Sequence, residues 1–466
     1  MFKIIFKHGS AYFLISLVTK FTGFLLLPVI TRYLSLDEYG LYANIQIAQQ
    51  VIYIFGSLCL DTAYARFVYD YNSSIKRLRL LTSTIVTAFI LWAFIYVSLS
   101  IGTIYFITKS FGYEAIIIAL LVPFITLFQQ FSALNISLMQ SRHHTKKLLT
   151  ITTSAYICTQ ILMLLMLVYL DMKINAFFIS QFLIGFITMC IHLTIMNNEG
   201  IIKLFLFNRK TFIKTIRYGL GYMPASLSSW IFMMSDRYII VYFISIAMAG
   251  KYAFIVQITM MIQVVMQSLQ TALAPIFITQ MDTATKESYR KIEDYIFVMI
   301  FFLLLIYVLM VTSLPFVIDL IFPESYRGDY LLIPILAMGS IFLAIRKLIS
   351  MFLVYYKKSM WISISGYMPA LVNVGLNFLF VPIYGIYAAA WTTLFSMFLY
   401  ACVVFVMAQK LHKIDYNYMK IFFLFISAVV LTMVSFYCNN IIVNVAIIIV
   451  FASMGQVLGI YKLLRG

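Results

Sequence analysis

Long apolar runs alternate with short polar connections along nearly the whole chain. About 20 apolar residues cross the hydrocarbon core of a bilayer as an α-helix, and lipid forces each backbone group to bond within that helix. The pattern therefore predicts an all-α integral membrane protein with about 14 transmembrane helices. The predicted spans are 10–34, 40–68, 80–107, 113–140, 148–170, 174–197, 218–245, 249–280, 295–321, 328–354, 359–383, 385–409, 419–437 and 439–461.

Basic residues are concentrated in alternate connections. The even-numbered connections and both termini hold 23 of the 33 Lys and Arg residues, the odd-numbered connections hold 4, and 6 fall inside predicted spans. Because basic residues stay on the cytoplasmic side, both termini are predicted to be cytoplasmic. The net charge of +17 follows from this bias, so membrane lipid is the expected neighbour and no nucleic-acid partner is implied.

The composition leaves little room for soluble chemistry. The chain is 63% hydrophobic and 11% charged, and its longest connections are only about 20 residues. We find no nucleotide-binding loop and no constellation of catalytic Ser, His or paired carboxylates, and the five cysteines lack metal-ligand spacing. We therefore predict a transporter rather than an enzyme, with no catalytic residues and no metal site.

The sequence repeats itself at an offset of about 210 residues. A repeat of six helices returns to the same side of the membrane, so its two copies are parallel and related by an axis along the membrane normal. We predict an N-terminal lobe at 1–210, a C-terminal lobe at 211–412 and an added pair of helices at 413–466. The matched residues include Tyr12 with Tyr222, Ser16 with Ser226, Ser35 with Ser245, Gly40 with Gly250, Tyr42 with Tyr252, and Tyr156 with Tyr367.

Polar residues at helical spacing mark the faces that turn away from lipid. Such faces occur on the first two helices of each predicted lobe, and we expect them to meet across a shared central cavity. The alternative is that these side chains only join neighbouring helices. The polar residues are Gln46, Gln50, Tyr53, Asp61 and Tyr64 on helix two, and Gln263 and Gln267 on helix eight.

Charged residues inside the spans give the best indication of a cargo, because an ionised group in hydrocarbon is costly unless it meets water or a partner. Six cations stand against two carboxylates, which predicts a net positive cavity suited to phosphate or another anion. Snorkelling to the membrane surface is the alternative for Arg66 and Lys251. The cations are Lys20, Arg66, Arg237, Lys251, Arg346 and Lys347, and the carboxylates are Asp61 and Asp236.

Several stretches together resemble polysaccharide flippases of the Wzx type, in the multidrug/oligosaccharidyl-lipid/polysaccharide (MOP) exporter superfamily. Each stretch is loose alone, but the similarity runs along the whole chain. The stretches are Leu-Pro-Val-Ile-Thr-Arg-Tyr-Leu-Ser-Leu-Asp-Glu-Tyr-Gly-Leu-Tyr at 27–42, Ser-Asp-Arg-Tyr-Ile-Ile at 235–240, Gly-Lys-Tyr-Ala at 250–253, Asn-Val-Gly-Leu-Asn at 373–377, Pro-Ile-Tyr-Gly-Ile at 382–386 and Ala-Ala-Ala-Trp-Thr-Thr at 388–393.

The resemblance implies two lobes that alternate between inward and outward openings. It implies a cargo of undecaprenyl diphosphate carrying an oligosaccharide repeat unit, moved from the cytoplasmic to the outer leaflet of the bacterial inner membrane for O-antigen or capsule synthesis. A polysaccharide polymerase and chain-length machinery are the expected partners. The phosphates would contact Lys20, Arg237, Arg66, Arg346 and Lys347, and the sugars would contact Tyr53, Gln263 and Gln267.

Energy coupling is left open by the sequence. Asp236 and Asp61 are candidates for coupling to protons or sodium ions, and no other cofactor is expected. Two transporters with the same fold remain as alternatives: a flippase for lipid II, and a MATE-like drug or cation exporter, which should have more intramembrane carboxylates. A membrane glycan polymerase or acyltransferase should show a larger outer loop or a catalytic constellation.

Overall fold

The structure is a computed structural model, and it describes residues 22–23, 25–71, 74–110, 116–142, 144–203, 205–356, 358–438 and 440–460. These residues form helices and connections without β-strand, and a helical segment at 25–33 precedes the first named helix. The helices are α1 Leu36–Ser57, α2 Leu60–Tyr71, α3 Ile75–Ser110, α4 Ile116–Ser141, α5 Thr145–Val168, α6 Lys173–Asn198, α7 Arg209–Phe243, α8 Ile246–Thr259, α9 Met261–Thr283, α10 Lys286–Ile321, α11 Leu332–Tyr355, α12 Ser359–Ser365, α13 Tyr367–Leu411, α14 Tyr418–Cys438 and α15 Ile441–Val457, with a short 3₁₀ turn at Glu324–Tyr326.

The predicted spans coincide with these helices from the second span onward, and the all-helical fold class is confirmed. α3, α7 and α10 begin 5, 9 and 9 residues before the apolar runs at 80, 218 and 295, because the polar approach to each span is itself helical. Within the described residues, 9 helices are long and apolar enough to cross a membrane, or 10 if α1 and α2 count as one bent span. The number fourteen and the cytoplasmic termini stay predictions.

Two serines that the predicted repeat matches begin their helices in the same way. Ser35 caps α1: its Oγ accepts from Glu38 N at 3.2 Å, and the Glu38 carboxylate accepts from Ser35 N at 2.9 Å. Ser245, its match in the repeat, caps α8 and accepts from Met248 N at 3.2 Å. A serine at this position satisfies an amide that the first helical turn leaves unpaired. Matching residues therefore have matching local roles.

A kink divides α13 into the two spans that the sequence predicts there. Gly385 has φ of 65° and ψ of −146°, a conformation essentially restricted to glycine. Pro382 precedes it by three residues and cannot donate to the helix ladder. The kink lies between the predicted spans at 359–383 and 385–409.

The chain divides into two compact units: the N-terminal unit, Leu14–Ser235, and the C-terminal unit, Asp236–Gly466. The division falls inside α7, whereas the repeat predicts lobes that divide between 210 and 211; that lobe boundary stays a prediction. Much of the N-terminal core packs α2 against α3 and α4, around buried side chains such as Tyr64, Phe89 and Leu134. The Tyr64 hydroxyl lies 3.0 Å from Thr82 Oγ1, so this large core residue keeps its polar atom paired.

Contacts between connections agree with the alternation of basic and charge-poor connections. In the N-terminal unit the sixth connection contacts the second and the fourth, and the first contacts the fifth. In the C-terminal unit the tenth connection meets the eighth and twelfth. The contacts are Arg79 with Gly200, Arg142 with Glu199, Glu38 with Lys173, Tyr355 with Asp282, and Tyr356 with His412.

Candidate functional site

The span formed by α1 and α2 is broken near its middle. The two helix axes differ by 52°. Leu58 and Cys59, which separate them, have φ of 48° and 52°, in the left-handed region that ends an α-helix. A break inside a membrane frees backbone groups that need partners. Trp92 supplies one, because its Nε1 donates to the Phe55 carbonyl oxygen at 3.2 Å.

Tyr53 and Asp61 bridge this break. The Tyr53 hydroxyl donates to Asp61 Oδ2 at 2.9 Å. Asp61 lies in the first turn of α2, where the helix dipole favours a negative charge. Its Oδ1 is buried and accepts no hydrogen bond from the described residues. The sequence predicts sugar contact for Tyr53 and ion coupling for Asp61, and the structure places the two groups in one hydrogen-bonded pair.

A polar pocket of about 520 Å³ lies within the N-terminal unit and includes Tyr53 in its wall. Its volume is within the range of roughly 300–1,000 Å³ that is typical of small-molecule sites. α1 supplies most of the wall, and α4 and α6 each add one glutamine. None of the described side chains in the wall is charged. The lining residues are Gln46, Gln49, Gln50, Tyr53, Ile54, Gln129 and Gln181.

Glutamine amides provide most of the polar surface of this glutamine pocket. Gln46 Nε2 donates to the Tyr42 hydroxyl at 2.6 Å. The other four amides make no hydrogen bond with any residue in the part of the chain that is described, although Gln49 is buried and Gln181 half-buried. An amide without a partner in the membrane is costly unless it meets water or a ligand. The pocket therefore offers free donors and acceptors to a polar guest.

Sequence reasoning found only part of this pocket. Gln46, Gln50 and Tyr53 belong to the predicted polar face of helix two, but Gln49 of that helix was missed, and so were Gln129 and Gln181 on other helices. Each of these two interrupts an apolar run inside a predicted span, which is a signal for a functional site. Spacing along one helix cannot show that three helices bring their glutamines together, so the pocket itself required the structure.

Asp236 lies in a different environment, buried in the C-terminal unit. Its Oδ1 accepts from the Arg237 backbone N–H at 2.8 Å. Tyr252, on α8, lies close to this carboxylate. Arg237 itself is half-buried at the next position of the chain. A buried carboxylate needs such donors, because leaving it unpaired would be costly.

A chain of buried hydrogen bonds extends from Tyr252 to both halves of α13. Thr393 Oγ1 lies 3.4 Å from the Tyr252 hydroxyl and accepts from Asn373 Nδ2 at 3.4 Å. Asn373 Oδ1 accepts from Asn377 Nδ2 at 3.1 Å, and Asn377 Oδ1 accepts from Thr392 Oγ1 at 2.7 Å. We call these residues together with Asp236 the Asp236 network. All its members lie in stretches that carry the family resemblance.

None of the remaining described cations is among the lining residues of the glutamine pocket. The Arg346 guanidinium stacks 4.6 Å from the centre of the Tyr400 ring, and its Nη1 donates to the Tyr400 hydroxyl at 3.4 Å. Lys347 is half-buried on the same helix. Arg66 is exposed and pairs with Asp70 at 3.2 Å. Lys20 lies outside the described residues.

The two glutamines predicted on helix eight differ in exposure. Gln263 is buried on α9, and its Nε2 donates to the Ser340 carbonyl oxygen of α11 at 2.6 Å. Gln267, one turn later, is exposed. Gln263 thus joins two helices, as the alternative interpretation of the polar faces expects. Its role as a sugar contact stays a prediction.

Sequence comparisons connect the chain to polysaccharide synthesis. A family model described as "Polysaccharide biosynthesis protein" matches residues 5–281, more than half of the chain. An uncharacterized membrane protein of Haemophilus influenzae is 26% identical over 326 residues, which cover 69% of this chain and 74% of that protein.

Solved structures show the same fold at low sequence identity. The lipid II flippase MurJ, in an inward closed conformation, matches with a TM-score of 0.72 and 15% identity over 97% of this chain and 99% of that chain. An inward-facing multidrug resistance MATE family transporter of the MOP superfamily matches with a TM-score of 0.66 and 13% identity over 83% and 93%. The resemblance found in the sequence is confirmed: this multi-pass membrane protein has the fold of MOP-superfamily transporters and belongs to the polysaccharide biosynthesis protein family.

Proposed function

We propose that this protein is a flippase for undecaprenyl-diphosphate-linked oligosaccharide repeat units. It moves them by alternating access from the cytoplasmic to the outer leaflet of the bacterial inner membrane, where they enter O-antigen or capsule synthesis. A polysaccharide polymerase and its chain-length machinery act on the product. The family assignment and the transporter fold support this proposal.

The glutamine pocket is the observation that supports the proposal most directly. It places uncharged hydrogen-bonding groups and a tyrosine ring among membrane-spanning helices. Sugar hydroxyls exchange hydrogen bonds with amides, and an aromatic face packs on the apolar face of a sugar ring. Transfer of an unpaired polar head group into hydrocarbon costs a large amount of free energy. A polar pocket at this depth lowers that cost while the polyprenyl tail stays in lipid.

The predicted cations hold the diphosphate in this proposal. Lys20 and Arg237 act as the principal contacts, with Arg66, Arg346 and Lys347 as further contacts. Arg346 suits the role because its buried Nε makes no hydrogen bond with any described residue, which leaves a donor for a phosphate oxygen.

The Asp236 network couples cargo movement to an ion gradient, of protons or of sodium. Support comes from its composition: a buried carboxylate lies beside a chain of hydrogen-bonded amide and hydroxyl groups. Such groups transfer protons or bind a small hard cation through oxygen. Asp61 is a second candidate for coupling, because its Oδ1 is buried without a partner among the described residues.

A flippase for lipid II is the second candidate, because the fold matches MurJ along nearly the whole chain. The same cations would hold its diphosphate and the same pocket its sugars. A MATE-like exporter is the third, favoured by the MATE match. The phenotype separates them: loss of a surface polysaccharide, loss of cell-wall synthesis, or altered drug sensitivity.

The test is deletion of the gene in its host and complementation with wild type, Lys20→Ala or Arg237→Ala. Surface polysaccharide and the leaflet position of lipid-linked oligosaccharide are measured. We expect deletion to abolish the surface polymer and trap the cargo on the cytoplasmic side, and the two variants to fail in rescue. Lys109→Ala is a matched control, because Lys109 is an exposed cation near a helix end.

Normal surface polysaccharide in the deletion strain would overturn the proposal. If drug sensitivity changes at the same time, the exporter alternative gains support. If the deletion cannot be obtained without a second copy and lipid II accumulates, the lipid II alternative replaces it. Membrane levels of each variant are measured by immunoblot, so that a failure of expression is not taken for a failure of transport.

A further inference from the structure

We infer that the glutamine pocket selects an uncharged sugar and rejects a sugar that bears a carboxylate. The inference rests on the proposed function and deepens it, because it names the chemical class of repeat unit that this site accepts. Three observations within the N-terminal unit support it: the absence of charge from the described wall, the four amides without partners among the described residues, and the carboxylate next to Tyr53.

The wall matches the hydrogen-bonding pattern of a neutral sugar. Each glutamine amide offers two donors and a carbonyl acceptor, and each sugar hydroxyl can both donate and accept. Four of the five amides have no partner among the described residues, so they can bind a guest without breaking a bond within that part of the protein. A carboxylate, in contrast, only accepts. At its position it would leave the facing amide carbonyl without a donor, because it contributes no proton of its own.

No cation in the described wall compensates an anionic sugar. Asp61 is a charged group in direct contact with the wall, because it accepts the hydrogen bond from Tyr53 at 2.9 Å. Tyr53 has one hydroxyl proton and directs it to Asp61, so the pocket meets the lone pairs of the Tyr53 oxygen rather than its proton. Both the lone pairs and the carboxylate behind them repel a second carboxylate. This repulsion is strong in a site of low dielectric constant.

The pocket also provides an apolar surface at one side. Ile54 and the Tyr53 ring are neighbours on α1 and both lie in the wall. A neutral hexose has an apolar face of C–H groups that can pack on such a surface. The sugar that fits best is therefore a neutral hexose or an N-acetylated one.

The test compares three probes that share one lipid: undecaprenyl diphosphate alone, with glucose, and with glucuronic acid in the same linkage. The two sugars differ only in the carboxylate. Binding to the full-length protein in nanodiscs is measured. We expect glucose to increase the affinity by about tenfold over the bare diphosphate, as one or two net hydrogen bonds would. Glucuronic acid should give no increase.

The double variant Gln129→Leu with Gln181→Leu removes the two pocket amides that α4 and α6 supply. Because these amides have no partner among the described residues, the fold should be preserved. We expect the advantage of glucose to disappear while the affinity for bare diphosphate stays within about twofold, which also reports correct folding. Gln456→Leu, an exposed position on α15, is the matched control and should keep the full advantage. Asp61→Asn should raise the ratio of glucuronic acid to glucose affinity by about fivefold.

Equal affinity of the wild type for the glucose and glucuronic acid probes overturns the inference. So does a double variant that loses affinity for all three probes equally, because the glutamines would then be structural. If the wild type binds bare diphosphate but gains nothing from glucose, this inference fails and the flippase proposal survives. If the wild type binds none of the probes, both the flippase proposal and this inference fail.

Discussion

Polar faces occur at the start of both units, yet their amides have different partners. In the N-terminal unit, Gln50 and Gln49 of α1 bond to no described residue and line an open pocket. In the C-terminal unit, Gln263 of α9 is tied to α11 through the Ser340 carbonyl. The Asp236 network repeats this behaviour, because its side chains bond to one another. Within one fold, polar side chains can therefore be available to a ligand or be bonded to other residues of the protein.

The difference shows why a polar face alone does not identify a binding site. An intramembrane amide must find a partner, and a neighbouring helix or a ligand can supply it equally well. The deciding observation is whether the described protein already provides that partner. By this criterion we propose that the N-terminal unit contacts the sugar and that the C-terminal unit holds a buried polar core suited to coupling. The following experiments test that division of roles.

The largest effect should follow Asn377→Leu. Asn377 is fully buried and bonds to both Asn373 and Thr392. The substitution leaves both of these partners buried with fewer hydrogen bonds, so we expect a loss of about 3 kcal/mol of unfolding free energy. Unfolding of the purified protein in detergent measures it.

Asn377→Asp serves as the comparison, since it keeps the acceptor for Thr392 but loses the donor to Asn373. An effect of Asn377→Leu below about 0.5 kcal/mol, the usual scatter of surface substitutions, would mean that the network is not a structural core. The division of roles between the two units would then be lost.

Gln50→Leu, in contrast, should lower transport and leave stability nearly unchanged. Gln50 is exposed in the pocket and has no protein partner among the described residues, so stability should change by less than about 0.5 kcal/mol. Loss of a sugar contact should lower translocation of a lipid-linked neutral glycan by about fivefold to tenfold. Transport in proteoliposomes and thermal unfolding are measured on the same preparation. A stability loss with unchanged transport would show that this amide is structural.

Gln263→Leu should behave like a structural change of moderate size. It removes one hydrogen bond to the Ser340 carbonyl, and we expect a loss of about 1 kcal/mol in stability. Transport should fall no more than the lower stability explains. If transport is abolished in a stable protein, Gln263 contacts cargo as the sequence predicts, and the two units are more alike than their hydrogen bonds indicate.

Much of the fold could be predicted from sequence because helix formation in a membrane is local. Apolar runs of sufficient length predicted the helices, and Gly385 lies where two predicted spans meet. The break at Leu58 and Cys59 was not predicted, since neither residue favours positive φ. It depends on the surroundings, among them Trp92 and the close approach of Gly219 to the Leu58 carbonyl.

The sites were less predictable, because they depend on residues far apart in the chain. The spacing of Asn373 and Asn377 places them on one helix face, but it does not show that Thr393 connects them to Tyr252, which lies 141 residues before Thr393 in the chain. Gln129 and Gln181 reach the pocket through the packing of α4 and α6 against each other and against α1. No periodicity along a single helix contains that information.

Breaking either of two ion pairs, one in each unit, should cause the smallest loss of stability. Lys251 Nζ lies 2.5 Å from Asp329 Oδ2, with side chains 14% and 24% exposed. Lys173 Nζ lies 3.2 Å from Glu38 Oε1, and its side chain is 54% exposed. Exposed pairs contribute little, so we expect losses of about 1 kcal/mol for Lys251→Met and about 0.3 kcal/mol or less for Lys173→Met.

The pair of Lys251 and Asp329 should also make stability depend on pH. Asp329 lies in the connection before α11. Burial raises its pKa, but hydrogen bonds from Lys251 and Tyr387 lower it more, so its pKa is below the usual 3.8. A lowered pKa gives stability that is present above the unfolded value and is lost as the pH falls through the folded value. The stabilities of wild type and Lys251→Met should therefore differ at neutral pH and converge below pH 3.8.

Unfolding midpoints measured at both pH values test this prediction. Equal losses of stability for the two lysine variants at neutral pH would contradict it. Such equality would mean that ion pairing, unlike amide pairing, does not distinguish the two units.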